Sequence, residues 1–155
     1  MESDKKTDSP GLYLSMIARY LHYYINREMA SLNLNKTQVD MLGVLYFYPG
    51  ISQNELGGKL LLDKITVTKN LKGLLDAGYV EKVRGEKDRR VKRLYITEKG
   101  YAIGGEVKKV LLEANAVLLK DLTPEEEDLT RKFLRQIAGN IYREVQEMNP
   151  EDAKM

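Results

Sequence analysis

The stretch DKITVTKNLKGLLDAGYV, residues 63–80, decides how the rest of the chain is read. Asp63 is a good N-cap, since its carboxylate can accept from the orphan backbone N–H groups of a helix's first turn. Gly78 is a natural helix stop, because glycine takes a left-handed backbone without a steric penalty. On a helical wheel of residues 64–77, Val67, Leu71, Leu74 and Leu75 share one side. Ile65, Thr66, Lys69, Lys72 and Gly73 lie roughly opposite, with Thr68 at the border. One side is core and the other is available to a partner.

Working back along the chain, Ser52 and Glu55 form a capping box for a short helix ending near Leu60, in which Gly57 and Gly58 permit a close neighbour. Two helices joined by so short a turn suggest a helix-turn-helix. Asn35 with Gln38 opens an earlier helix whose core candidates are Val39, Leu42, Val44, Leu45 and Tyr46, and Pro49-Gly50 ends it. From Leu12 to Leu32, apolar and aromatic residues recur at helical spacing, Leu12, Met16, Tyr20 and Tyr23 on one side with Tyr13, Ile17 and Tyr24 beside them.

Working forward, residues 79–84 and 94–97 read as short strands around a charged segment, 85–93, which makes a hairpin with a basic tip. A helix is expected from about Glu98 onward, with Ile103, Val107, Val110, Leu111, Ala114, Val117 and Leu118 as its apolar set. Thr123, Pro124 and Glu126 open a last helix striped by Leu129, Phe133, Ile137, Ile141 and Val145. The expected fold is mainly α with a small β-hairpin wing (α+β), a winged helix-turn-helix over 36–97 flanked by long helices over 11–35 and 98–148. The polar ends, 1–10 and 149–155, are expected to be a disordered and a frayed tail.

Composition narrows the function. The 155 residues suffice for one compact domain, or for one domain with a helical appendage. The formal net charge is only +2, but residues 59–99 hold 12 lysines and arginines against 6 aspartates and glutamates, and the remainder holds 13 against 17. Positive charge is thus concentrated on the helix-turn-helix and hairpin. No cysteine is present, which excludes disulfides, thiolate chemistry and cysteine-ligated zinc. His22 is the one histidine and has no spaced carboxylate cluster, so neither a metal nor a cofactor is expected. Phosphate-loop, dinucleotide, nucleophile-elbow and HExxH patterns are absent from the sequence, and an enzyme is not expected. No apolar run approaches the ~20 residues of a spanning helix, so the expected setting is the cytoplasm, away from the membrane.

The open side of the helix over 64–77 offers what a DNA major groove can use. Lys69 and Lys72 suit guanine edges or phosphates, Thr66 is an adaptable hydroxyl, Ile65 can meet a thymine methyl, and Thr68 can reach a phosphate. An ordinary solvated helix would show the same wheel, and the basic hairpin that follows is what favours DNA. Arg89 and Arg90 suit a minor groove, where the potential is most negative. Asp88 would repel phosphate unless it orients an arginine. Lys87, Lys92 and Arg93 fit either phosphate contacts or solvated charge.

In sequence, Asp63 to Lys69, Leu74 to Val80, Glu86 to Arg90 and Leu94 to Gly100 resemble the recognition helix and wing of the MarR-type winged-helix regulators, and the likeness covers the chain from about Leu12 to Met148. The resemblance implies that Asp88 and Arg90 are the family's Asp-x-Arg wing pair, with Arg90 entering the minor groove and Asp88 bracing it. Ile65 stands where the family often has a small hydroxyl residue. The resemblance also implies that the first and last helices pair two copies. Apolar stripes at both ends of the chain, more than a small lobe can cover, agree with a homodimer on a pseudo-palindromic duplex. Family members often respond to small anionic or lipophilic aromatics, which makes Tyr13, Tyr20, Tyr24 and Tyr46 candidates for an effector pocket, although packing accounts for them equally well. A protein-protein module and a nonspecific architectural DNA-binding protein are the rival readings.

Overall fold

The structure, a computed structural model, describes residues 8–85 and 90–148. Helix α1 (Pro10–Glu28) is followed by a single 3-10 turn, Ala30–Leu32, then by α2 (Lys36–Phe47), α3 (Gln53–Leu60) and α4 (Lys64–Asp76). Strands β1 (Val80–Arg84) and β2 (Lys92–Ile96) come next, then α5 (Glu98–Ala102), α6 (Gly104–Leu119) and α7 (Pro124–Met148). None of the described helices is long and apolar enough to cross a membrane.

The local signals act where the sequence places them. The Asn35 side chain accepts from the Gln38 backbone at 2.9 Å, and Gln38 Oε1 accepts in return from Asn35 N at 3.0 Å. Ser52 and Glu55 make the same reciprocal pair at the start of α3, as do Thr123 and Glu126 ahead of α7. Asp63 accepts from Thr66 N at 2.9 Å, and Gly78 (φ 75°) turns the chain out of α4. Each cap satisfies backbone groups the helix cannot satisfy itself.

One helix expected from Glu98 onward is two. The chain breaks at Ile103, between α5 and α6, for two reasons. Gly104 and Gly105 follow, and glycine costs about 1 kcal/mol per helical position relative to alanine. Gly100 is also buried against the Tyr79 carbonyl, where the Thr97 hydroxyl donates to Gly78 O at 2.6 Å and anchors α5 to the end of α4.

The core joins Ile25 and Met29 of α1 to Val39, Met41, Leu42 and Leu45 of α2, Leu56 of α3, Val67, Leu71 and Leu74 of α4, Val80 and Leu94 of the hairpin, and Val110 and Ala114 of α6. Complete burial of a leucine such as Leu71 or Leu74 contributes about 2 kcal/mol, which holds α4 by its apolar side. Val44 and Leu75 are half-buried, and Tyr46, expected in the core, is exposed. The strands pair antiparallel, from Val80 opposite Ile96 to Arg84 opposite Lys92. Gly50 N donates to Leu94 O and Leu94 N to Ile51 O, both at 2.9 Å, so the loop after α2 also grips β2.

Candidate nucleic-acid interface

Helices α3 and α4 meet through the turn 61–63. Gly57 allows their approach, since a Cβ there would stand 3.1 Å from Val67 Cγ2. Leu61 caps α3 in the left-handed region (φ 51°), its N–H donating to Gly57 O and Gly58 O. The turn presents the first half of α4 outward. Ile65 is 82% exposed, and Lys64, Thr68, Lys69 and Lys72 are exposed beside it. Thr66 is half-buried, and its hydroxyl donates to the Asp63 carboxylate at 2.6 Å. That bond, followed by the Thr66 N–H, holds the Asp63 carboxyl below the usual range, so the cap carries full charge at neutral pH.

Two residues on the open side of the wheel are otherwise occupied. Gly73 sits under Gln38, whose side chain would collide with a Cβ there, so this position belongs to the packing of α4. Lys72 pairs with Asp76 one turn on, an exposed pair that leaves its stem outward. The side chain of Gln38, itself buried, donates to Asn70 O at 3.2 Å, while Asn35 Nδ2 donates to Asn70 Oδ1 at 2.9 Å. These bonds fix the roll of α4 about its axis. Nothing in the sequence singles them out, because they join residues more than thirty positions apart.

The hairpin stands beside α4 with Lys82, Arg84, Arg90 and Lys92 exposed. Lys87, Asp88 and Arg89 lie outside the described residues, and so does the expected bracing of Arg90 by Asp88. Arg93 is placed differently from the outward phosphate contact or solvated charge expected of it. Its Nη1 donates at 3.3 Å to both Gly50 O and Glu55 Oε2, tying β2 to the start of α3. Thr68 accepts from Gln53 Nε2 at 2.8 Å, and Gln53 Oε1 accepts from Lys82 Nζ at 3.2 Å. Gln53 and Lys82 were not among the expected site residues. For Lys82 the signal was available, as it alternates with Arg84 on a strand.

The tyrosines divide. Tyr13, Tyr20 and Tyr24 line a groove of about 730 Å³ between α1 and α6, closed on the other side by Ala114, Val117 and Leu118, with Arg27 at its edge. Tyr46 lies apart on α2, its ring edge-on to Phe47 and Tyr101. The Tyr13 hydroxyl donates to the Asp8 carboxylate, which raises the phenol's pKa and keeps it protonated. The groove opens among the same exposed apolar side chains, Met16, Ile17 and Tyr23, that stripe α1.

Known proteins share this arrangement. Residues 32–91 match the model of the MarR family. The uncharacterized HTH-type transcriptional regulator YybA of Bacillus subtilis (strain 168) is 30% identical over 131 residues, which cover 84% of this chain and 87% of that protein. A crystal structure of MarR superposes with a TM-score of 0.85 at 32% identity, covering 95% of this chain and 98% of the other. A MarR transcriptional regulator from Methanosarcina mazei Go1 superposes with a TM-score of 0.81 at 30% identity, covering 86% and 96%. With a relative and a solved structure matched over most of their lengths, and α3, α4 and β1 within the segment that the family model matches, the chain belongs to the MarR family of transcriptional regulators.

Proposed function

We propose that the protein binds a specific duplex DNA site as a homodimer and represses transcription from it. The observation that carries this reading is that α4 turns Ile65, Thr68, Lys69 and Lys72 outward, while the adjacent hairpin exposes Lys82, Arg84, Arg90 and Lys92. Such a helix fits a major groove, and a basic hairpin beside it reaches the flanking minor groove or backbone. The outer members supply electrostatic affinity; Ile65, at the centre of the open face, supplies base discrimination, and Lys69 beside it meets a guanine edge or a phosphate. Membership of a family of transcriptional regulators agrees. Repression needs nothing beyond occupation of the site.

Dimerisation is supported by α7, none of whose residues is buried although Leu129, Phe133, Ile137 and Ile141 recur every fourth position. A twofold pairing through the end helices would set two copies of α4 about 34 Å apart, one turn of duplex. Relief by a small aromatic anion is the finer part of the proposal, supported by the tyrosine-lined groove with Arg27 at its edge.

The deciding experiment is selection of binding sites from a genomic fragment pool, at near-physiological salt with excess competitor. A pseudo-palindrome with half-sites one turn apart is the expected product, and benzoate can then be titrated against it. Recovery of no sequence above background would sink the reading in favour of a protein-binding winged helix. Enrichment without sequence preference would instead indicate an architectural protein.

A further inference from the structure

Gln53 is the first residue of α3, and both ends of its amide reach out of that helix. The nitrogen donates to Thr68 on the open side of α4 at 2.8 Å, and the oxygen accepts from Lys82 on β1 at 3.2 Å. One side chain thereby connects the helix proposed to read the major groove with the strand that carries the wing. Two residues later Glu55 faces Arg93 at 3.3 Å, so the first turn of α3 holds β2 as well. The two holds differ in charge. Arg93 meets a carboxylate that offsets its charge, whereas Lys82 meets a neutral amide that does not.

We propose that Gln53 is a positioning residue for DNA recognition, fixing the Lys82 ammonium and the Thr68 hydroxyl against one stretch of phosphate backbone while leaving the lysine's charge intact. An amide suits this role because it supplies a donor and an acceptor in one plane and cancels no charge. A carboxylate at 53 would grip Lys82 more firmly but spend its attraction for phosphate. Held in advance, Lys82 loses less rotamer freedom when DNA binds, which is where the affinity arises.

The inference rests on the DNA-binding reading above, and its test is a double-mutant cycle on the full chain. Operator affinity is measured for the wild type, Gln53→Ala, Lys82→Ala and the double variant. Gln53→Ala is expected to weaken binding about three- to tenfold with Lys82 present, the reach of one hydrogen bond. With Lys82 already alanine, the effect should fall below about twofold. The slope of log affinity against log salt should be kept in Gln53→Ala, and should fall by about one in Lys82→Ala and in Gln53→Glu. Equal factors in both backgrounds would overturn the proposal, and so would a loss that follows a lowered melting temperature instead of Lys82. Should the wild type prefer no duplex at all, the DNA-binding reading is what fails. The positioning is then read in the free protein, where Gln53→Ala should speed amide exchange in β1 and leave Leu71 and Leu74 unchanged. Unaltered exchange in β1 would overturn it there.

Discussion

Arg93 on β2 and Glu55 on α3 stand 3.3 Å apart, and the same guanidinium nitrogen lies 3.3 Å from the carbonyl of Gly50. Glu55 is also half of the box that caps α3. The backbone N–H of Ser52, then its hydroxyl, hold the Glu55 carboxyl below the usual range against a small opposing effect of burial, and the charges of Arg93 and Lys59 add to this. A carboxyl whose pKa is lowered by folding contributes stability above its unfolded pKa of about 4.3, and loses it as pH falls through the folded value.

Glu55→Gln keeps the capping geometry but removes this charge. The variant should melt lower than the wild type at neutral pH, and the two should converge as pH drops from about 5 to about 3. Melting curves taken across that window check it. Parallel curves would mean that Glu55 does not contribute to the acid sensitivity.

Leu61→Gly should stabilise the fold. Leu61 holds φ at 51° and is 66% exposed, so it meets the left-handed penalty with little burial in return. Relief of that penalty, less glycine's greater unfolded-state freedom, leaves a gain of about 0.5–1 kcal/mol. The urea midpoint should rise, and a fall would show that the leucine packs productively.

Gly100→Ala should do the opposite, by more than about 2 kcal/mol. The new methyl would overlap the Tyr79 carbonyl and Ile96 Cγ2, and neither a backbone oxygen nor a branched side chain in a strand can swing aside. Gly104→Ala is the control, since no neighbouring atom lies within 4 Å of a Cβ there. Equal unfolding midpoints for the two variants would contradict the packing described around α5.

What the sequence made legible was local. Asp63 and Gly78 bracket α4 because a cap and a left-handed glycine act within a few residues of themselves, and the reciprocal boxes at Asn35, Ser52 and Thr123 formed for the same reason. Contacts between distant segments were not legible. Gly73 reads as groove-facing on a wheel, yet Gln38 fills the space beside it, and Arg93 reads as an outward cation, yet Glu55 draws it in. By residue type Tyr46 belongs with the α1 tyrosines, but the α2 backbone points it toward Tyr101. The break at Ile103 was within reach, since Gly104-Gly105 is a visible interruption whose effect the apolar periodicity around it obscured.

On the reading side, Lys69→Ala and Arg90→Ala should separate base recognition from backbone contact. Arg90→Ala should weaken operator binding by about 1–3 kcal/mol. Lys69→Ala should relax preference at one base pair if Lys69 meets a guanine, or weaken all sequences equally with a salt slope shallower by about one if it meets phosphate. Binding by competition against single-base operator variants distinguishes these, and an unchanged affinity in folded Arg90→Ala would remove the wing from the interface.

The pairing of two copies can be tested through α7. Phe133 is 52% exposed on a 25-residue helix that buries nothing in the single chain, and Leu129, Ile137 and Ile141 extend its stripe. Leaving such a stripe in water is unfavourable, and a second copy offers a matching one. An aspartate in that stripe costs little in a lone chain, where the position is already solvated, but would bury an unpaired charge in a dimer. Phe133→Asp should therefore keep the melting behaviour of the core and sediment as a monomer at micromolar concentration, where the wild type should sediment as a dimer. Operator affinity should fall with it, since each monomer can then hold only one half-site and loses the added strength of linked binding. A Phe133→Asp protein that remains dimeric and binds as before would place the interface elsewhere than on α7.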